Sequence, residues 1–195
     1  MRHIIYVDGS VGVGKSTFIE ILYQTFASVL GIVGNNNSSH NFNVEVLPEP
    51  LHRNWTNRII NELGYENLLH FLLVRKIVAI EDWSKRIASD GLQELERNVL
   101  IVERSLFGDR RVNADCEKLF DNKNVTYSGE SVHYIFIKNL EKENAEQERL
   151  NVLYNRMELE YEGRASRFIH RIQRPRNVSS YHAEAAAIVH KVLGL

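Results

Sequence analysis

The sequence has a single cysteine and almost no net charge, and each scarcity excludes a class of protein. The single Cys116 cannot form an internal disulfide, and no Cys/His group has zinc-site spacing, so we expect a reducing, cytoplasmic environment. A formal net charge of -1 creates no overall field that favours nucleic acid or a membrane surface as partner. No apolar run is long enough for a membrane span or a secretory leader.

Hydrophobic residues make up 44% of the 195 residues, which suffices for one buried core, and we expect a single domain over residues 1–195. Short apolar runs alternate with helical patterns, which is typical of an α/β fold with a mostly parallel sheet flanked by helices. Four helical patterns are present. The first begins at Phe18 and continues to Leu30, and the others cover residues 57–87, 141–162 and 183–193. The predicted strands are residues 4–7, 44–47, 99–102, 134–137 and, more weakly, 168–172.

The first strand and helix enclose the pattern G-x-x-x-x-G-K-[ST], which residues 9–16 match without exception. Glycines let the backbone wrap a polyphosphate, and the helix N-terminus faces its negative charge. In this pattern the lysine reaches the β- and γ-phosphates and the hydroxyl binds Mg²⁺. We therefore predict that the chain binds ATP with Mg²⁺. The predicted ATP-binding residues are Gly9, Ser10, Val11, Gly12, Val13, Gly14, Lys15, Ser16 and Thr17.

Charged residues directly follow the second and third predicted strands. Glu49 lies between two prolines after the second, and Glu103 and Arg104 follow the third. Ligands of open α/β sheets collect at the carboxyl ends of strands, so these residues should flank the phosphate-binding loop. A carboxylate on a rigid turn suits a base for an attacking hydroxyl, and an arginine beside it can stabilise developing charge. The second carboxylate suits Mg²⁺.

These segments, in this order, resemble the deoxynucleoside kinases that include the herpesvirus-type thymidine kinases. The resemblance rests on residues 9–17, on Glu49-Pro50 with a following Trp55, on the long apolar helix and on residues 103–105. It implies a P-loop kinase fold with a five-stranded parallel sheet and a dimeric assembly. It also implies transfer of the γ-phosphoryl of ATP to a deoxynucleoside 5′-hydroxyl in nucleotide salvage. The resemblance implies that Glu49 is the catalytic base with Arg104 beside it, that Ser16 and Glu103 bind Mg²⁺, and that Trp55 lines the nucleoside pocket. Lys15 is also a predicted catalytic residue, from the loop pattern itself.

The predicted nucleoside pocket departs from the family pattern at several positions. Trp55 follows Glu49 by six residues where the family has five, and His70 stands where the family has a base-reading glutamine. Leu73 and Ile77 lie one and two turns after His70 on the same helical face. Asp109 stands where the family's residue varies with base preference. The preferred base therefore remains open.

The segment after the fourth strand is far more acidic than the family's arginine-rich lid. Arg149 and Arg156 are the candidate lid residues, in two alternative registers, and a solvated helix is the other interpretation. Two further functions remain open. One is a nucleoside monophosphate kinase of the thymidylate kinase type, and the other is an ATP-binding module without turnover.

Overall fold

The structure is a computed structural model that describes residues 2–34, 42–49, 61–62, 64–89, 97–105, 130–139, 144–162, 167–174 and 179–195. Within these residues there are five strands and four long helices. The strands are β1 (Arg2–Gly9), β2 (Phe42–Leu47), β3 (Arg97–Glu103), β4 (Glu130–Lys138) and β5 (Arg167–Gln173). The helices are α1 (Lys15–Gly34), α2 (Tyr65–Ser89), α3 (Ala145–Tyr161) and α4 (Ser179–Leu193).

The strands form one parallel sheet in the order β2-β3-β1-β4-β5. All five predicted strands are present, including the weak fifth, so the predicted α/β fold with a five-stranded parallel sheet is confirmed. β1 is central, between β3 and β4, and the chain passes from one side of it to the other between β3 and β4. Such a switch in strand order opens a crevice at the carboxyl ends of the strands. The loop after β1 lies in this crevice.

Alternate residues of the central strands supply two separate cores, one on each face of the sheet. Ile5 and Val7 of β1 face the core shared with α1 and α4, whereas Ile4 and Tyr6 face the core that contains Trp83 of α2. This alternation follows from the two-residue repeat of a strand. It explains why the central strands are apolar throughout, since both faces are covered.

Two of the predicted helical patterns differ in detail from the structure. Within the pattern over residues 57–87, residues 61–62 are helical and α2 begins at Tyr65 after Gly64, while residues 57–60 and 63 lie outside the description. The pattern over residues 141–162 contains α3, which begins at Ala145 because the Asn144 side chain accepts a hydrogen bond from Gln147 N–H and caps the helix. None of the described helices has the length and apolar character needed to cross a membrane.

Histidines from three neighbouring strands meet on one face of the sheet. His133 of β4 contacts His170 of β5 at 3.2 Å between ring nitrogens, and its ring lies 5.8 Å from that of His3 on β1. Burial lowers the pKa of His133 to about 2, helped by His170, His3 and Lys191. Burial and Lys191 lower the pKa of His170 to about 4. The folded chain therefore keeps both rings neutral in mild acid.

Acid should weaken the fold through this histidine cluster. Because the unfolded chain protonates near pH 6.5 and the folded chain does not, the free energy of unfolding should fall as the pH drops below 6.5. Replacing His133 with Leu should reduce the loss between pH 7.5 and 4.5 by about 2 kcal/mol. Urea unfolding at both pH values measures this, with His182→Leu as the exposed control. An equal loss in wild type and His133→Leu would contradict it.

Candidate active site

The loop after β1 has the backbone of a phosphate-binding loop. β1 ends at Gly9 and α1 begins at Lys15, and between them Gly12 (φ +78°) and Gly14 (φ +97°) adopt conformations that side chains disfavour. The N–H of Val13 donates to the carbonyl of Ser10 at 3.2 Å, which closes the turn. The sequence thus places strand, loop and helix as predicted, and the α1 N-terminus points into the crevice.

The Lys15 ammonium group lies inside this loop. It donates to the carbonyls of Gly9 and Ser10 at 3.1 and 3.2 Å, and the residue is buried. Burial and the neighbouring Arg104 lower the pKa of Lys15, although nearby carboxylates including Glu49 oppose this shift. A buried ammonium on two carbonyls forms stronger bonds with an anionic ligand than with neutral acceptors. Lys15 is therefore positioned to exchange a carbonyl for a phosphate oxygen.

The last helix, α4, packs against the phosphate-binding loop. The hydroxyl of Tyr181 on α4 donates to the carbonyl of Val13 at 3.0 Å, and its ring packs edge-on against Phe18 at 5.2 Å. A Cβ added at Gly14 would lie 3.2 Å from that hydroxyl. α4 therefore contacts the loop at Val13 and Gly14.

Glu103 connects the loop to the end of β2. One carboxylate oxygen accepts from the Ser16 hydroxyl at 3.0 Å, and the other accepts from the Glu49 N–H at 3.3 Å. A hydroxyl and a carboxylate side by side at a phosphate-binding loop are the hard oxygen ligands that Mg²⁺ takes from proteins when phosphates and water complete its shell. The pair fits Mg²⁺ in this way. The described residues contain no cluster of three or more His, Cys, Asp or Glu side chains that would hold a metal unaided.

Arg104 stands between two carboxylates. Its Nε donates to Glu49 at 2.8 Å and its Nη1 donates to Glu146 at 3.1 Å, and all three side chains are at most 13% exposed. Burial by itself would lower the pKa of Arg104, but Glu49 and Glu146 outweigh it and raise that pKa. Two of five guanidinium N–H donors are used by these pairs, which leaves donors for a ligand oxygen.

The backbone at Arg104 is held in an unusual conformation. Its φ of +63° is rare for a residue other than glycine. Its N–H donates to the Val7 carbonyl at 3.0 Å, and the buried Lys76 ammonium on α2 donates to its carbonyl at 3.1 Å and to that of Glu103 at 3.0 Å. These bonds compensate for the strain and aim the side chain into the crevice.

Asp8 of β1 holds the backbone of Ser105, the residue after Arg104. Its carboxylate accepts from the Ser105 N–H at 2.8 Å and from the Tyr154 hydroxyl of α3 at 2.7 Å. Complete burial raises the pKa of Tyr154 well above its usual value, and Asp8 adds to the rise. Tyr154 therefore stays a neutral donor, and β1, β3 and α3 are joined at one buried carboxylate.

Gly9→Ala should disrupt the loop because the added methyl group has no room. Its Cβ would lie 2.6 Å from Val13 Cγ1 and 2.9 Å from the Ile137 carbonyl oxygen. We expect a loss of stability of about 1–3 kcal/mol and at least tenfold weaker ATP binding. Thermal unfolding and titration with a fluorescent ATP analogue measure both. Gly194→Ala, where the added methyl group would meet nothing within 4 Å, is the control for ATP affinity. Equal ATP affinity in wild type and Gly9→Ala would contradict the prediction.

The structure places some predicted site residues together and does not describe others. Glu49, Glu103 and Arg104 meet beside Lys15 and Ser16, as described above. Trp55 and Asp109 lie outside the described residues, and the side chains of His70 and Leu73 on α2 are not described either, whereas Ile77 is half-buried on α2. The lid candidates Arg149 and Arg156 both lie on the continuous helix α3, with Arg149 half-buried and Arg156 exposed. The lid and pocket roles stay predictions.

Sequence reasoning missed Asp8, Lys76 and Glu146. Asp8 had a usable signal, since it is a lone acid at the end of an apolar strand. Glu146 lies in the sequence Asn144-Ala-Glu-Gln147, and Asn followed three residues later by Gln is typical of a helix start. That signal marks where α3 begins, but it does not show that Glu146 faces the crevice. Lys76 lies four residues from Leu72 and four from Ile80, so the spacing indicates a packed position on the helix but no role at the site.

Neither a protein-family model nor a curated protein sequence matches the chain. Solved structures do match, and they show the class of fold. The chain has the fold of the P-loop nucleotide kinases. A crystal structure of thymidylate kinase from Ehrlichia chaffeensis is similar over 100% of this chain and 99% of that chain, with a TM-score of 0.55 and 18% sequence identity.

Proposed function

We propose that the chain is an ATP-dependent kinase that transfers a phosphoryl group to a deoxynucleoside or to a deoxynucleoside monophosphate. One observation carries the proposal. The Glu103 carboxylate bonds both the Ser16 hydroxyl of the phosphate-binding loop and the Glu49 N–H, and the Glu49 carboxylate is paired with Arg104. The residues that would bind the phosphoryl donor are therefore connected by hydrogen bonds to Glu49 and Arg104, which would face the acceptor. A loop that only stores a nucleotide needs no paired acid and arginine at its open end.

The donor side would bind MgATP through the loop. The backbone N–H groups of the loop and the α1 N-terminus would face the phosphates, and Lys15 would turn from its carbonyl partners to a phosphate oxygen. Ser16 and Glu103 would hold Mg²⁺, which neutralises charge on the phosphates during transfer. Arg104 would offer its remaining N–H donors to the transferring group. The protein's contribution is thus alignment and charge stabilisation.

Two acceptors have a specific observation in their favour. The similar fold of a thymidylate kinase supports a nucleoside monophosphate, and it supports this alternative better than the deoxynucleoside suggested by the sequence resemblance. The charge balance supports the deoxynucleoside. Arg104 is already paired with two carboxylates, and an uncharged hydroxyl beside Glu49 adds no further negative charge to the site.

In the deoxynucleoside case, Glu49 would accept the proton of the 5′-hydroxyl as its oxygen attacks the γ-phosphorus of ATP. Arg104 would orient Glu49 through the 2.8 Å bond that its Nε donates. In the monophosphate case the attacking oxygen is already anionic. Glu49 would then only orient Arg104 toward the acceptor phosphate, and no base is required.

An acceptor panel tests the proposal. ATP consumption with Mg²⁺ is measured with thymidine, deoxycytidine, deoxyadenosine, deoxyguanosine and thymidine monophosphate, each supplied alone. Turnover with at least one of them that disappears in Lys15→Met supports the proposal, and the acceptor used decides between the two candidates. ATP binding without turnover on any acceptor would overturn it in favour of a non-catalytic ATP-binding module.

A further inference from the structure

Glu146 reaches both sides of the candidate active site from the first turn of α3. One carboxylate oxygen accepts from Nη1 of Arg104 at 3.1 Å, and the other accepts from the Val11 N–H of the phosphate-binding loop at 3.1 Å. The side chain is only 3% exposed. A single buried carboxylate therefore ties the arginine beside Glu49 to the loop.

The first turn of α3 is itself anchored, so the position of Glu146 is well defined. Asn144 caps the helix by accepting from the Gln147 N–H at 2.9 Å. The Gln147 side chain then bonds both backbone groups of Asn139 at the end of β4, accepting from its N–H at 2.7 Å and donating to its carbonyl at 2.6 Å. Glu146 is thus held by the sheet as well as by its own helix, which limits the positions that Arg104 can take.

We propose that Glu146 is a positioning residue for phosphoryl transfer, which fixes the Arg104 guanidinium against Glu49 and sets the loop relative to it. This inference rests on the proposed function. Glu146 acts through Arg104 and Val11, both of which it contacts. Without it, Arg104 keeps only the bond to Glu49 and can rotate, and a displacement of about 1 Å in such a site can cost about 100-fold in rate.

The charge of Glu146 gives the proposal a distinctive signature. A carboxylate bonded to the phosphate-binding loop repels the phosphates of ATP, so a residue kept only for nucleotide binding would not be acidic here. Glu146→Gln removes that negative charge and leaves an oxygen for the Val11 N–H. It should therefore weaken turnover without weakening ATP binding. A residue that merely stabilised the loop would lower both together.

The experiment compares Glu146→Gln with Glu148→Gln, which removes the same charge from an exposed position on the same helix. We expect kcat to fall about 10- to 100-fold in Glu146→Gln, with the Kd for MgATP unchanged or several-fold lower. Both constants should stay within about twofold of wild type in Glu148→Gln. Thermal unfolding checks that each variant is folded. Glu146→Asp, which keeps the charge but shortens the reach, should also lose kcat and replaces the Gln variant if that fails to fold.

The outcomes separate this inference from the proposed function. An active wild type with unchanged kcat in Glu146→Gln would overturn the positioning role and leave the kinase proposal intact. A parallel loss of kcat, MgATP affinity and thermal stability would show a structural role alone and would also overturn it. A wild type inactive on every acceptor would overturn both.

Discussion

Replacing Glu49 with Gln is expected to lower kcat for a deoxynucleoside acceptor by about 100-fold or more while the Kd for MgATP stays within about twofold. Glutamine keeps the shape of the side chain and an acceptor oxygen for the Nε of Arg104, now 2.8 Å from the carboxylate. It cannot take a proton from a hydroxyl. The bond from the Glu49 N–H to the Glu103 carboxylate uses only the backbone of Glu49 and should survive.

Steady-state kinetics and ATP titration measure this effect, and Glu45→Gln on β2 is the control because its carboxylate bonds Arg86 on the surface. The size of the loss also reports on the acceptor. With a monophosphate acceptor no proton must be removed, so the same variant should lose clearly less than 100-fold. Full activity of Glu49→Gln on a deoxynucleoside would remove Glu49 from the mechanism.

Arg104→Gln is expected to cost both stability and activity. It leaves Glu49 and Glu146 without the cation between them, and breaking a buried ion pair by removing one partner costs about 3–5 kcal/mol. Activity should fall to background, because the two carboxylates then repel each other and the transferring group loses its donors. Urea unfolding measures the first effect and turnover the second.

The matched control for this substitution is Arg86→Gln. Arg86 pairs with Glu45 at 3.0 Å, a separation like that of the Arg104 pairs, but its side chain is 61% exposed. Removal of an exposed pair should cost less than about 1 kcal/mol. Equal losses in the two variants would show that burial of Arg104 contributes nothing. Arg104→Lys, which keeps the charge but not the forked geometry, should recover part of the stability and little of the activity.

The sheet and one half of the candidate site could be predicted from the sequence because their signals are local. Buried parallel strands are recognisable as apolar runs, and the ends of such strands meet at one edge. Glu49 and Arg104 could therefore be expected side by side although 55 residues separate them. Their roles in catalysis stay predictions.

The other half could not be predicted because it depends on which face of a helix meets the sheet. Glu146 lies among many acids on α3, and its neighbour Glu148 is exposed, so composition alone does not distinguish the two. The spacing of Lys76 from Leu72 and Ile80 places it on the apolar face of α2, but it does not identify the partners of its ammonium group. Only the packed structure shows that its ammonium supports the strained backbone of Arg104.

The hydrogen bond from Tyr181 to Val13 has a consequence for how the protein is made. The loop forms near the start of the chain, but the helix that braces it is α4, 168 residues away from Val13. At about 5–20 residues per second, a ribosome synthesises Tyr181 roughly 10–30 s after Val13. For most of its synthesis, the nascent chain therefore has the loop without the Tyr181 hydrogen bond. The nucleotide site is complete only after α4 has emerged and packed against α1.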